Sequence, residues 1–481
     1  MLAAILRTLV QHLSSPAVVR FETDTTLTAI FNASLTESAT VGIVIPDISP
    51  DYPSILHFGP VYFEGYHTWP DTKFVHGFNL GRNSTEARKA LIDSVPYACK
   101  ALKDNLLNWE LGNEPDLFTR PGGPRPPSWD EQDYVDQWVY YTRQIRDKMR
   151  QACPEMASGE EYKYYAPSFA GTGGNALNLV TTWADGLDKD KIIAIDSSHN
   201  YISGADVPGV TLQHTLMNHT ANVASVAQHL NETRHLRALD DSLWPNLPYI
   251  MGETNSLYHQ GRPGLSNTFG ATLWGVDFNL WCATNNISRV HMHQGTNYRY
   301  QAWQPIQTNL TALGTKAPYY GSIAVAAFLG DIPAHTPRIT NFPLASPYEA
   351  AYGAYVDDAL AKIMVINLQE YNATEGNNMT NDYPRPVERY AFQLPEKYAG
   401  QEVGVQRLMA NGSDAITGVT FDGWSFNWEL DEGRPVRLGN VTVGESVSVD
   451  KKGVVSVDVD RSSAVILRFG GGEGEDCWEG R

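Results

Sequence analysis

Two glutamates stand out by type and setting. Glu114 lies in Asn108-Trp-Glu-Leu-Gly-Asn-Glu-Pro-Asp116, directly after the apolar run Leu106–Leu111, and Glu253 ends the run Leu247-Pro-Tyr-Ile-Met-Gly-Glu253. A carboxyl group at the end of each of two separate strands suits hydrolysis of a glycosidic bond. One carboxylic acid protonates the leaving oxygen while the other carboxylate attacks or stabilises the anomeric carbon. Other chemistries find little support. No Gly-rich phosphate loop precedes a helix, and no nucleophile-elbow motif occurs. His291 and His293 share a strand face, but no third ligand accompanies them, which points to pocket lining or packing and not to a metal. Neither a metal nor an organic cofactor is expected.

The elements around these residues alternate. Strands are expected at Ala17–Phe21, Lys73–Phe78, Leu106–Leu111, Lys163–Ala166, Ile192–Ile195, Tyr249–Met251 and Arg289–Met292. Helical patterns separate several of them. Thr85–Leu102 follows the capping types Asn83 and Ser84, and Tyr134–Cys153 sets Val135, Trp138, Val139, Ile145 and Met149 near one face. Strand–helix alternation over this length predicts a (β/α)8 barrel, in which both glutamates fall at the carboxyl-terminal, active-site ends of strands. Only seven strands are visible, and Met1–Leu13 reads as the helix that should follow a first strand. The expectation is an N-terminally truncated catalytic domain over residues 1–335 with its first strand missing. Tyr319–Leu329 reads as the last barrel helix. Beyond it come short runs such as Ala361–Leu368, Val454–Val459 and Ala464–Phe469 without helical periodicity, which predict a β-sandwich over residues 336–470. The Gly-rich, acidic tail 471–481 is expected to be disordered.

Composition narrows the partners. The 481 residues hold 36 Lys and Arg against 54 Asp and Glu, a net charge of −18. Such a chain lacks the basic footprint of a nucleic-acid binder, and no run is long and apolar enough to insert in a membrane. Four cysteines (Cys99, Cys153, Cys282, Cys477) show no metal spacing, and no disulfide pairing is assignable. Asn-x-Ser/Thr sequons at Asn32, Asn83, Asn218, Asn231, Asn286, Asn309, Asn372, Asn378, Asn411 and Asn440 exceed what composition leads one to expect. They imply a secreted glycoprotein. No signal peptide is recognisable, so the expectation is that one was lost with the missing beginning.

Trp109-Glu-Leu-Gly-Asn-Glu-Pro-Asp116 and Met251-Gly-Glu-Thr-Asn-Ser256 resemble retaining glycosidases on the (β/α)8 barrel. With Phe58-Gly-Pro-Val-Tyr-Phe-Glu64, Lys73-Phe-Val-His-Gly-Phe-Asn79, His199-Asn-Tyr201 and His291-Met-His-Gln-Gly295, the chain resembles glycoside hydrolase family 79, the β-glucuronidase and heparanase-like family. The resemblance implies double displacement with Glu114 as acid/base and Glu253 as nucleophile, their carboxyl groups about 5–5.5 Å apart. It implies a carbohydrate substrate carrying a β-linked glucuronic acid or its 4-O-methyl form. Asn113 would contact the sugar 2-hydroxyl. Tyr258 and Tyr300 would surround the uronate together with backbone N–H groups, Tyr201 would touch the sugar, and His293 would line the pocket. Arg299 is a further candidate charge partner. One stretch departs from the pattern: where the family expects Gly-Gly-Asn after a strand, this chain has Phe21-Glu-Thr-Asp-Thr25. Close backbone approach to the sugar needs those glycines, so the subsite floor is expected to differ. The alternatives are a heparanase-like endo-glucuronidase, another barrel glycosidase, or a non-catalytic carbohydrate-binding or truncated, inactive homologue.

Overall fold

Seven parallel strands carry the candidate site: β1 (Ala17–Glu22), β2 (Thr72–Phe78), β3 (Leu106–Leu111), β4 (Tyr164–Phe169), β5 (Ile193–Gly204), β6 (Tyr249–Tyr258) and β7 (Arg289–Met292). They lie side by side in chain order as one nearly closed barrel sheet, with β1 and β7 at its edges among the described residues. The computed structural model describes residues 17–22, 29–43, 55–69, 71–173, 175–239, 247–330, 335–375, 379–380 and 383–470. Met1–Leu13, Thr23–Thr25 and the tail from 471 lie outside these residues, while Phe21 and Glu22 end β1.

The strands occupy the seven places that the apolar runs mark. Their run-like character follows from burial on both faces. Val75, Tyr165 and Ile250 fill the barrel interior with Leu107 and Ile195. The outer faces pack under helices α1 (Thr85–Leu102), α2 (Glu131–Ala152), α3 (Leu179–Ala184), α4 (His219–Leu239), α5 (Phe269–Thr284) and α6 (Ala317–Leu329). Two strands run further than the apolar pattern. β5 continues through His199-Asn-Tyr201, and β6 continues to Tyr258. The polar residues there point into the site instead of marking a turn, so polarity conceals the strand.

Helix starts follow their caps. Ser84 accepts a hydrogen bond from the Ala87 N–H, and Asp130 accepts one from the Asp133 N–H. α2 therefore begins three residues before its first apolar anchor, Tyr134. A disulfide joins Cys99 of α1 to Cys153 just past α2, while Cys282 is a buried free thiol.

From Arg338 onward the pairing is antiparallel. A nine-stranded sheet contains β8 (Glu349–Val356), β9 (Ala359–Asn367), β11 (Glu402–Met409) and β13 (Ser463–Arg468). A two-stranded ribbon of β10 (Val387–Gln393) and β12 (Val454–Asp460) covers one face. Ile363, Val365, Val465 and Leu467 face the ribbon side with Val455 and Val457. Met364, Ile366, Ala464 and Ile466 face the opposite way, into one core with Phe269, Trp274, Phe278 and Tyr319 of α5 and α6. That sheet, too, is buried on both sides. α5 and α6 are apolar all round because they are sandwiched between barrel and sheet. Within this seam Asp277, fully buried, takes Tyr352 Oη at 2.6 Å, Asn222 Nδ2 at 2.6 Å and His219 Nδ1 at 3.0 Å.

Candidate active site

The loop after β3 presents Glu114 through an unusual backbone. Gly112 has φ +87°, and a Cβ there would lie 3.0 Å from Leu80 Cβ, so glycine is needed. Glu114 itself has φ 49° and ψ 48°, the left-handed region that non-glycine residues seldom occupy. Its N–H donates to the Ser168 carbonyl at 2.9 Å, and its carbonyl accepts from the Leu117 N–H at 2.9 Å. Asp116 ties the same turn to the loop after β4. Its carboxylate oxygens accept from the Ala170 N–H at 2.9 Å and Asn175 Nδ2 at 2.6 Å. Burial raises the Asp116 carboxyl to about 7.

Glu253 projects from β6 toward Glu114. One oxygen of each carboxyl and a ring nitrogen of His199 all lie within 4.8 Å of one another. This is the one grouping among the described residues with metal-ligand spacing. Its imidazole atom is already engaged, with Nδ1 3.0 Å from Glu114 Oε1 and 3.7 Å from Glu253 Oε2. Burial lowers His199 to about 4, so the ring is neutral near pH 7.

The two carboxyls are pushed apart. Glu114 rises to about 8, first through burial and next through the negative charge of Glu253. Burial alone would also raise Glu253. In the acid range where Glu253 titrates, the charges of His293 and His199, a hydrogen bond from His293 and the Arg20 guanidinium together outweigh it and hold Glu253 well below the ordinary carboxylate range. At neutral pH one carboxyl is protonated and the other is ionised, the division of labour that acid-assisted nucleophilic displacement requires.

Hydrogen bonds fix the ionised partner. Tyr201 donates to Glu253 Oε1 at 2.6 Å. Its one proton is thereby spent, so its oxygen accepts from His293 Nδ1–H at 2.9 Å. Tyr300 Oη lies 2.9 Å from the same nitrogen. Arg20 NH1 reaches Glu253 Oε2 at 3.3 Å. Arg20 also forks onto Glu110, Nε to Oε2 at 2.7 Å and NH2 to Oε1 at 3.1 Å, and its NH2 donates to Asn113 Oδ1 at 2.8 Å. The Arg20 and Glu110 side chains are each 3% exposed.

A cleft of about 1070 Å³ opens over these groups, and Asn113, Glu114, Tyr201, Glu253, Tyr258, His293 and Tyr300 all line it. Tyr258 is half exposed at the rim. Its ring lies on Gly204, where a Cβ would meet Tyr258 Cζ at 2.3 Å. After it, His259, Gln260 and Gly261 form a left-handed turn with φ 61°, 62° and 76°. Arg299 lies outside the cleft lining, its guanidinium donating to the Gly261 and Asn297 carbonyls. His291, partly buried, packs against Tyr165 and stays outside the trio of closely spaced ligand atoms.

Residues 351–466 match the glycosyl hydrolase family 79 C-terminal beta domain. Over 448 residues the chain is 56% identical to a beta-glucuronidase of Aspergillus niger, covering 91% of this chain and 81% of that protein. Over 476 residues it is 50% identical to a beta-glucuronidase of Neurospora crassa, covering 92% and 84%. The chain belongs to glycoside hydrolase family 79. Its fold resembles that of a 4-O-alpha-L-rhamnosyl-beta-D-glucuronidase from Fusarium oxysporum, with TM-score 0.74 and 21% identity over 97% of this chain and 91% of that one. An alpha-L-arabinofuranosidase from Thermotoga maritima shares the fold at TM-score 0.59 and 12% identity, over 96% and 89%.

For this family 79 chain, sequence reasoning passed over Arg20, Glu110, Asp116 and Ser168. A signal was present: Glu110 is a charge inside the buried strand Leu106-Leu-Asn-Trp-Glu-Leu111, and such a charge requires a partner.

Proposed function

We propose that this family 79 chain is a retaining β-glucuronidase that removes β-linked glucuronic acid, or its 4-O-methyl form, from glycans or glucuronides. The observation that carries the reading is the carboxyl pair, one protonated and one ionised, with oxygens within 4.8 Å. That spacing suits a nucleophile and an acid on one glycosidic bond. An inverting pair would stand about 6.5–9.5 Å apart to admit a water. Both named relatives at 50% identity or more are beta-glucuronidases, which supports the uronate specificity.

In this reading Glu253 attacks the anomeric carbon while Glu114 protonates the departing glycosidic oxygen, giving a glycosyl-enzyme. Glu114, now ionised, takes a proton from water as the water attacks, and the sugar leaves with its configuration retained. Asn113 holds the 2-hydroxyl. Tyr258, Tyr300 and the backbone N–H groups of His259 and Gln260, which line the cleft, receive the uronate carboxylate. The leaving group lies on the side of Glu114, between Leu117–Pro124 and the Ala221–Gln228 face of α4. Residues 1–335 form the catalytic unit and 336–470 its β-sandwich. Secretion fits the Cys99–Cys153 disulfide and the exposed sequon asparagines, among them Asn32, Asn83, Asn286 and Asn440. No helix among the described residues is long and apolar enough to cross a membrane.

The test is turnover of 4-nitrophenyl β-D-glucuronide against the matching glucoside and galactoside, in wild type, Glu114→Gln and Glu253→Gln. Glucuronide-selective release, lost in both variants and with the β-anomer formed first by NMR, supports the reading. Equal turnover of the neutral glycosides refutes the uronate pocket, and an α-anomer as first product refutes retention.

A further inference from the structure

Three carboxylates converge at the floor of the site, but the proposed reaction uses only two. The third, Glu110, sits on β3 with its side chain 3% exposed. It is out of the cleft lining, so it meets no substrate. Both of its oxygens are bonded to Arg20, and Ser168 Oγ donates to Oε1. A fork of this kind fixes a guanidinium in rotation as well as in position. The remaining donors of Arg20 then point in defined directions. NH1 reaches the Gly252 carbonyl and Glu253 Oε2, each at 3.3 Å, and NH2 reaches the side chain of Asn113 at 2.8 Å.

That last contact decides which end of an amide faces the substrate. A guanidinium donates and never accepts, so the Asn113 atom beside it must be the carbonyl oxygen. Asn113 is 4% exposed and lines the cleft, and with Oδ1 held by Arg20 its Nδ2 is the polar atom left for a ligand. Asn113 therefore meets the sugar as a hydrogen-bond donor. A donor at O2 leaves the hydroxyl's own proton for the Glu253 carboxylate. As the neighbouring anomeric carbon turns cationic that proton becomes more acidic, its bond to Glu253 tightens, and O2 becomes a better acceptor for Asn113 in turn. An inverted amide would present an oxygen acceptor there instead.

We propose that Glu110 is a positioning residue that, through Arg20, sets Asn113 to donate to the 2-hydroxyl of the substrate. The proposal rests on the assignment of Glu253 and Glu114 as nucleophile and acid. It predicts that neutralising Glu110 frees the guanidinium to turn, unlocks the Asn113 amide, and weakens one substrate contact selectively.

The test uses the full chain and two substrates, a β-D-glucuronide and its 2-deoxy analogue with the same leaving group. Glu110→Gln should lower kcat/KM on the parent by on the order of 10²-fold, mostly in kcat, because the contact tightens in the transition state. On the 2-deoxy substrate, which has no O2, the loss should be no more than about threefold. Asn113→Ala should show the same selectivity. The double variant should be no worse on the parent than Asn113→Ala alone, because both act on one contact. Should Glu110→Gln fail to fold, Ser168→Ala removes a hydroxyl from Glu110 without changing charge and should give a smaller loss with the same substrate selectivity. Equal losses on the two substrates, or additive losses in the double variant, overturn the proposal while the carboxyl pair stands. A folded wild type that hydrolyses neither substrate overturns both.

Discussion

Neutralising Glu253 should pull the Glu114 carboxyl down, and the structure sets the scale. Glu114 stands at about 8 because burial disfavours its charge and Glu253 repels it. The two carboxyl oxygens lie within 4.8 Å of each other, and a unit charge at that limit in an effective dielectric of about 20 is worth roughly 3.5 kcal/mol, or about 2.5 pKa units. The cleft is open to water, which reduces this to about one to two units. Glu253→Gln should therefore bring Glu114 to between about 6 and 7, still above the ordinary value of about 4.3, because burial is unchanged. The same drop should follow when Glu253 becomes a neutral ester in the glycosyl-enzyme. There it has a consequence: the acid of the first step becomes ionised and available as the base of the second. The assay is ¹³C NMR titration of glutamate-labelled enzyme, with the Glu114 resonance assigned by its loss in Glu114→Gln. Wild type, Glu253→Gln and enzyme trapped with a 2-deoxy-2-fluoroglucuronide are compared. A Glu114 titration that moves by less than roughly 0.3 unit in both neutralised forms would refute the electrostatic coupling.

Other expectations follow from single contacts. Tyr201→Phe removes the 2.6 Å charge-assisted bond to Glu253 and should cost about 1.5–3 kcal/mol in kcat/KM, roughly 10- to 100-fold, with the fold intact by circular dichroism. Burial raises Asp116 and Glu232 to about 7 and, with Glu253, raises Glu114 to about 8, so each binds its proton more tightly folded than unfolded. Below pH about 6.5 this is opposed by His76, His199, His229 and His291, which burial lowers to about 3, 4, 3 and 3. Above it the raised carboxyls and His219, which Asp277 raises against burial, all lose stability as pH rises, so Tm should fall between pH about 6.5 and 8.5, and a rise would contradict the assignments. Cys99→Ser with Cys153→Ser opens a link between residues 54 positions apart and should destabilise by roughly 4 kcal/mol in urea titration. Asp277→Ala strips the partners of His219, Asn222 and Tyr352 at the seam and should destabilise by about 3–5 kcal/mol, measured the same way.

The fold was legible where burial is two-sided, because a strand covered on both faces reads as an unbroken apolar run. The central barrel strands announce themselves in that way, as do β9 and β13, where Met364 and Ile366 face one core and Ile363 and Val365 face another, whereas β7, Arg289-Val-His-Met292, is only partly buried. The extensions of β5 and β6 were not legible. Past Ile195 and Met251 the strands carry His199, Tyr201 and Glu253, and hydrophobic periodicity has nothing to register there. The site divides along the same line. Glu114 and Glu253 follow apolar runs directly, so their places could be read. Arg20 and Glu110 are 90 positions apart and are brought together by the sheet, in which β1 and β3 flank β2. Each is a lone charge among apolar neighbours, which says that a partner exists without saying which.

The buried pair also bears on how the site keeps its charge constant. With Glu114 protonated, the floor holds Glu110 and Glu253 as anions and Arg20 as a cation, one net negative charge. When Glu253 becomes an ester, Glu110 and Arg20 cancel and Glu114 ionises, which restores one net negative charge. In both steps a cationic anomeric carbon forms above a floor of the same net charge, so neither transition state is favoured at the other's expense. Without Glu110 the floor would be neutral before each step, and the guanidinium would oppose the developing cation. A carboxylate that never meets substrate therefore has an electrostatic role as well as a geometric one. The two separate by substrate. The electrostatic part should slow the parent and 2-deoxy glucuronides alike, whereas the geometric part requires O2. A loss of more than about threefold on the 2-deoxy substrate would mean that charge, and not the orientation of Asn113, is the larger contribution of Glu110.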